Sequence, residues 1–428
     1  MTKLAARLGA WDAALLTAGS IIGTGIFLSA GDVARAGLTP GFILGAWALA
    51  GLVTLAGALS YAELGTMYPR AGGMVHFLEQ AYGPLPAFLY AWTCLAVIMS
   101  GGIAAIAMGF GEYVAVFVPV DARVSALAAI ALLTAVNHFG VRGGATVQNV
   151  LAVIRIGSIA ALVGFGLWAG APPRAAVTLS GAPSLGLALI PALWTYDGWY
   201  AATFSAGELK NPKRDLPLGM ISGIVLVVLL YLAINVVYLR ALPVAELAQS
   251  TRPALDAAQA LFGAGAARLF SAAVLVSAFG CLAATILYSS RTYIPMAEQG
   301  LFFRSFALVH ERWRTPVRSL WLQSAWAALL VLSGTYEQLY TYVTFAVVLF
   351  HAATGAALFV LRVRQPLLER PVRAWGYPVV PALFVLASLW LAAVSIAEKP
   401  RESLAGLGLI ALGLPAWLFW RRRAAGRT

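Results

Sequence analysis

Gly19-Ser20-Ile21-Ile22-Gly23-Thr24-Gly25-Ile26-Phe27 lies inside the first apolar segment of the chain. A helix that crosses lipid keeps its backbone groups paired internally, because hydrocarbon offers no other partner. Gly23 and Gly25 weaken the helix at the depth where lipid demands one. The spacing therefore predicts a deliberate break. Unwound backbone at membrane depth is tolerated where it lines a cavity, and free N–H groups at a half-helix start can hold a carboxylate there.

The flanking sequence supports a membrane setting. Of 428 residues, 61% are hydrophobic and only 11% are charged, with a mean hydropathy of +0.83. Soluble domains carry about 25% charge. The composition predicts an all-α integral membrane protein with twelve transmembrane helices. We place them at roughly 13–38, 42–67, 86–118, 124–139, 146–169, 184–207, 216–239, 266–290, 318–333, 337–361, 378–396 and 404–420. The net charge of +12 sits mainly in one set of alternate loops. That bias follows the positive-inside rule with both termini cytoplasmic, so the expected location is the cell inner (plasma) membrane and no nucleic acid partner is needed. Cys94 and Cys281 fall inside apolar spans and read as small hydrophobes, not as a disulfide framework.

The chain reads as one membrane domain over 1–428. Its longest polar connections are Leu242–Gly265 and Pro295–Pro316, with a shorter arginine-rich one at Arg362–Arg373. A second break is predicted in the sixth span, Pro191-Ala192-Leu193-Trp194-Thr195-Tyr196-Asp197-Gly198-Trp199-Tyr200, where an acid and a glycine sit mid-span. Broken helices at matching positions of two five-helix halves point to an inverted repeat with a midplane site. The halves would be 13–169 and 184–361, with two peripheral helices over 378–420.

Several motifs follow one another in order. Tyr61-Ala62-Glu63-Leu64-Gly65 and Tyr68-Pro69-Arg70-Ala71-Gly72-Gly73 precede Ala81-Tyr82-Gly83. Val141-Arg142 and Val147-Gln148-Asn149 precede span five. Tyr196-Asp197-Gly198-Trp199 leads into Gly207-Glu208-Leu209-Lys210-Asn211-Pro212-Lys213-Arg214-Asp215-Leu216-Pro217. With the Gly-Thr-Gly run, the chain resembles the amino acid–polyamine–organocation superfamily, and within it bacterial relatives of the L-type amino acid transporters. The resemblance implies a LeuT-like fold of two inverted five-helix repeats plus two helices.

It also implies roles for particular residues. Gly23, Thr24 and Gly25 match the carboxylate clamp, where a half-helix dipole and the Thr24 hydroxyl would face an anion. The backbone carbonyls of Ile21 and Trp194 match the acceptors for the substrate ammonium. Trp194 matches an aromatic gate, the plainer reading being a packing tryptophan. Gly102, Ala105 and Ile106 of span three, opposite Phe345 and Val348 of span ten, match a side-chain pocket whose small uncharged walls suit a neutral substrate.

Two buried charges carry open alternatives. Asp197 could attract an ammonium, carry a proton, or cap the second half-helix. Arg155 stands where the family usually has a lysine near the sodium site of sodium-coupled cousins. A fixed cation there disfavours sodium coupling, and arginine does not release its proton. The alternative is that Arg155 snorkels to the cytoplasmic face. Glu63, Lys210, Arg214 and Glu298 read as gate or loop ion pairs near that face. The loop Val118-Pro119-Val120-Asp121-Ala122-Arg123 lacks the cysteine with which animal relatives bind a helper glycoprotein, so no disulfide-linked accessory subunit is expected.

The function predicted is transport of free amino acids by alternating access, most simply exchange or facilitated transport of small to medium neutral L-amino acids. The alternatives are proton-coupled symport through Asp197, or a cationic amino acid or polyamine substrate. Enzyme chemistry is not expected: His76, His138, His310 and His351 show no metal-ligand spacing, and no HExxH or Gly-x-Ser-x-Gly pattern occurs. No cofactor and no metal are expected. A channel would need a polar stripe or filter that the spans do not supply.

Overall fold

A computed structural model describes residues 8–69, 72–139, 144–169, 181–298, 302–311, 313 and 315–425. The motif residues Arg70, Ala71, Val141 and Arg142 lie outside them. The first span is interrupted as its glycines require. Helix α1 (Ala10–Ile21) stops at Ile22, the chain crosses Gly23 and Thr24 without helical pairing, and helix resumes as α2 (Gly25–Leu28) and α3 (Ala30–Gly37). Leu38 turns the chain, and α4 (Pro40–Met67) opens with proline in its first turn and the Thr39 hydroxyl accepting from Phe42 N–H. Next come α5 (Met74–Tyr82) and α6 (Pro84–Thr93). A π turn at Cys94–Ile98 carries α6 into α7 (Met99–Val114). Asp121 caps α8 (Ala122–His138), and α9 (Gly144–Trp168) follows.

The second interruption separates α10 (Leu185–Tyr196) from α11 (Ala201–Phe204) at Asp197-Gly198. The chain continues through α12 (Pro212–Ala241), α13 (Val244–Gln249), α14 (Pro253–Ser289, kinked at Gly263) and α15 (Ile294–Glu298). It ends with α16 (Val317–Ser333), α17 (Tyr336–Arg364), α18 (Val379–Glu398), α19 (Pro400–Ala411) and α20 (Gly413–Ala425). Eight stretches are long and apolar enough to cross a membrane, and Ala122–His138, Ala152–Trp168, Leu185–Tyr196 and Val317–Ser333 are shorter apolar helices. Among the described residues there is no strand, only one isolated backbone bridge between Leu8 and Leu209.

The segment read from sequence as the polar connection 242–265 is largely helical. Val244, Leu247, Ala254 and Leu255 are buried, and a side chain at Gly31 of α3 would meet the Leu247 carbonyl at 2.9 Å. Apolar residues recur there at helical spacing, but Pro243, Pro253 and Gly263 interrupt the pattern.

Two groups of helices frame the interior. In one, α12 packs on α1 and α4, and α10 packs on α4; in the other, α7 and α16 pack on α8, and α14 packs on α7. Helix α9 bridges them, touching α1 and α14, while α17 touches α4, α7, α10 and α18. Lipid tails are as apolar as leucine, so close approach of small residues, not hydrophobicity, holds such helices together. Gly223 of α12 shows this: a side chain there would meet the Ala14 carbonyl at 2.8 Å and Thr17 Cβ at 2.9 Å of α1.

Glu63 of α4 is expected from sequence in a gate or loop ion pair. It is fully buried and receives Arg362 Nε at 2.9 Å and Nη2 at 2.6 Å, plus Ala374 N–H at 2.6 Å. Arg370 Nε lies 3.4 Å away. This carboxylate ties α4 to the end of α17 and the loop beyond it. Lys213, beside the expected Lys210 and Arg214, pairs with Glu369 at 2.6 Å.

Candidate functional site

The two interruptions meet. A side chain at Gly25 would approach Thr195 Oγ1 to 2.9 Å and Thr195 Cα to 3.1 Å. One at Gly198 would approach the Ser20 carbonyl to 2.7 Å. Gly198 also holds φ at +91°, a left-handed value that strains any residue with a Cβ. Gly25 is thus required by the contact, and Gly198 by the contact and the backbone together.

Polar backbone is left open at the crossing. Ile22 N–H still reaches Ala18 O at 2.9 Å and Gly23 N–H reaches Ile21 O at 2.8 Å, but Thr24 and Gly25 N–H find no backbone acceptor among the described residues. At the second interruption, Asp197 N–H reaches Trp194 O at 3.1 Å. The Gly198 amide and the Tyr200 hydroxyl face the Asp197 carboxylate. Its Oδ1 is buried with no hydrogen-bond partner among the described residues.

Tyrosine hydroxyls and one guanidinium tie the carbonyl side. Tyr231 OH lies 3.2 Å from Ile21 O and 3.2 Å from Thr195 O, spanning both interruptions. Tyr238 OH donates to Ile26 O at 3.2 Å, and Tyr113 OH to Phe27 O at 3.2 Å. Arg155 is 1% exposed and donates from Nη1 to Gly19 O at 2.6 Å. It reaches inward to α1 and does not snorkel.

A cavity of about 340 Å³ opens from this crossing. Gly23, Thr24, Gly25, Trp194 and Asp197 line its inner end, with Gly102 and Ile106 of α7 and Cys281 of α14 as uncharged walls. Leu8, Glu208 and Arg291 line the other end, at one face of the molecule. Toward the opposite face the path is closed. Trp194 stacks on Tyr340 with ring centroids 6.2 Å apart and donates from Nε1 to Tyr336 OH at 3.0 Å. Tyr336 OH also meets Ser29 Oγ at 3.2 Å. Tyr340 OH donates to Asp32 at 2.8 Å, and Arg35 pairs with Asp32 at 3.0 Å. Lys399 pairs with Glu337 at 2.8 Å. These contacts draw α2 and α3, α10 and α17 together over the crossing.

A family model described as amino acid permease matches residues 8–412. The chain belongs to the amino acid permease family. The serine/threonine exchanger SteT of Bacillus subtilis is 30% identical over 427 residues, covering 98% of each chain. Human b(0,+)-type amino acid transporter 1 is 33% identical over 93% of this chain and 84% of its own. The human cystine/glutamate transporter is 29% identical over 95% and 84%. The family is one of transporters, not enzymes.

Within this permease, Ile21, Gly23, Thr24, Gly25, Gly102, Ile106, Trp194 and Asp197 line one cavity. Ala105 and Phe345 are fully buried and do not line it; Phe345 lies on the side of α17 that packs toward Gly406 of α19. Val348 lines a separate cavity, described below. The α17 residue that reaches the central cavity is Val343. Not expected from sequence are Tyr231 and Tyr238, and Tyr336 and Tyr340. Each pair had a signal: seven and four residues apart, they share one face of a helix. The Ile21 carbonyl already receives Gly23 N–H and Tyr231 OH, which fills both of its lone pairs.

Proposed function

We propose that this permease moves small to medium neutral L-amino acids across the inner (plasma) membrane by alternating access, as an exchanger or facilitator. One observation carries the reading: two interrupted helices cross at a cavity that is open to one face and closed to the other. The free N–H groups of Thr24 and Gly25 would receive the carboxylate. The Trp194 carbonyl, with a lone pair to spare, would take the ammonium, joined by Ile21 O once Tyr231 OH shifts fully to Thr195 O. Gly102, Ile106 and Cys281 would surround a small uncharged side chain. Trp194, held by Tyr336 and Tyr340, would be the gate on the closed side, and the open face, bearing Leu8 and Arg291, would be cytoplasmic with both termini.

We read the architecture as two inverted five-helix repeats in twelve spans, α1 to α9 and α10 to α17, with α18 to α20 peripheral. The four shorter apolar helices support the count, and the equivalent placement of the two interruptions supports the repeat. Arg155, fixed on the carbonyl of Gly19 four residues before Gly23, puts a permanent positive charge beside the crossing and disfavours a sodium ion there. A second reading, proton-coupled symport, rests on the unpartnered Asp197 Oδ1.

Uptake of labelled alanine, serine, leucine and arginine into proteoliposomes separates them. We expect uptake of the neutral amino acids that requires unlabelled amino acid inside and ignores an inward proton gradient. Gradient-driven uptake into empty vesicles would replace exchange by symport and make Asp197→Asn the decisive variant. Arginine as the preferred solute would overturn the neutral specificity.

A further inference from the structure

A second cavity, of about 260 Å³, lies between α4, α10, α17 and α18. Three residues, Trp194, Asp197 and Val343, line both it and the central cavity. Its mouth is formed by Leu49, Leu185 and Trp390, all exposed. Leu49 and Trp390 stand nine and eleven residues into their helices. At 1.5 Å per residue that is about 14–17 Å along each, near the middle of a hydrocarbon core of about 30 Å. This part of the mouth therefore faces acyl chains, while Leu185, the first residue of α10, marks its end nearer the membrane surface.

The interior is apolar except for a small polar group. Thr54 and Ser388 spend their hydroxyl protons on the Ala50 and Phe384 carbonyls, each at 2.8 Å. Three atoms remain over. Thr344 Oγ1, His351 Nε2 and Asp197 Oδ1 are buried with no hydrogen-bond partner among the described residues, and Thr344 and His351 are only 4% and 6% exposed. Each such atom costs about 1–3 kcal/mol. An apolar pocket with a few convergent polar atoms is the usual make-up of a small-molecule site.

We propose that this side cavity binds a medium-chain aliphatic alcohol that enters from the bilayer. A hydroxyl both donates and accepts, matching a lining that offers an acceptor carboxylate, a threonine hydroxyl and an imidazole nitrogen, while a fatty carboxylate would be repelled by Asp197. The chain would lie along Leu189, Leu193, Val347 and Leu391. The volume falls below the range of about 300–1,000 Å³ typical of drug-sized ligands, which excludes a whole phospholipid. The guest would press on Trp194 and Val343 from behind and hold the central site in one arrangement. This last effect, unlike the binding itself, rests on the transport reading above.

The test is photolabelling of the full-length protein in liposomes with a diazirine-bearing octanol, read by peptide mass spectrometry. Saturable adducts on the lining of α4, α10, α17 and α18 are expected, displaced by octanol but not by octanoate and lost in Ala387→Phe, which fills the cavity from α18. Adducts spread over the whole lipid-facing surface, or equal displacement by octanoate, would overturn the site. Because the wild-type pattern decides this, misfolding of the variant does not rescue or sink it, nor does absence of transport of any solute tested. In uptake assays octanol should lower the maximal rate by about fivefold with the half-saturating amino acid concentration unchanged, and Ala387→Phe should be insensitive. A rise in half-saturation alone would make the cavity part of the substrate site and overturn it as a separate one.

Discussion

A single phenol proton is shared between carbonyls from opposite halves of the chain. Tyr231 sits equidistant from Ile21 O and Thr195 O, so its rotation decides which interrupted helix keeps a bond. In Tyr231→Phe both carbonyls lose this donor, and the protein loses about 1–3 kcal/mol of stability. Because the Ile21 carbonyl is then free for the ammonium without displacing Tyr231, uptake should show a half-saturating concentration lowered by about tenfold, since each 1.4 kcal/mol is tenfold, with protein still inserted in the membrane. Unchanged uptake would remove Tyr231 from the binding machinery. This residue was invisible as one of 15 tyrosines. Gly23, Thr24, Gly25 and Asp197 were legible because glycine pairs and an acid are out of place in an apolar span.

At the scale of the element, the interruptions are defined by contact as much as by weak helix propensity. Gly25 faces Thr195 across a gap that admits no methyl group without movement. Gly25→Ala should overpack the crossing by about 1–3 kcal/mol and reduce uptake accordingly. Adding Thr195→Ala removes the 2.9 Å contact with Oγ1 but leaves the 3.1 Å contact with Cα, so part of the activity should return. Strictly additive losses would show that the two residues do not meet. Helix order and most boundaries followed from apolar length. The partner of each helix did not, because pairing depends on side-chain shape at positions such as Gly223 against Ala14, which no linear pattern encodes.

For the whole molecule, the closed and open ends predict a sided chemistry. Cys94 and Cys281 are the chain's two cysteines, and both are free. Cys281 borders the central cavity while Cys94 is fully buried. A small membrane-impermeant thiosulfonate should therefore modify Cys281 from the side bearing Leu8 and Arg291, more slowly when a transported amino acid is present, and not from the side bearing Asp32. Equal modification from both sides would contradict the single opening. What sequence could not show at this scale is which state is occupied. The latch of Trp194, Tyr336, Tyr340 and Asp32 draws on three separated stretches of chain, and the burial of Glu63 on two arginines about 300 residues away.

The bridge between Leu8 and Leu209, with Leu8 N–H on Glu208 O at 3.1 Å and Lys210 N–H on Leu8 O at 2.8 Å, has a consequence for birth of the protein. The ribosome delivers the first span long before the loop that anchors it. At about 5–20 residues per second, the roughly 200 residues between them take about 10–40 s. Throughout that interval the unpaired amides of Thr24 and Gly25 lack Thr195, Gly198 and Tyr231 around them, and the half-made chain must keep them out of lipid by other means.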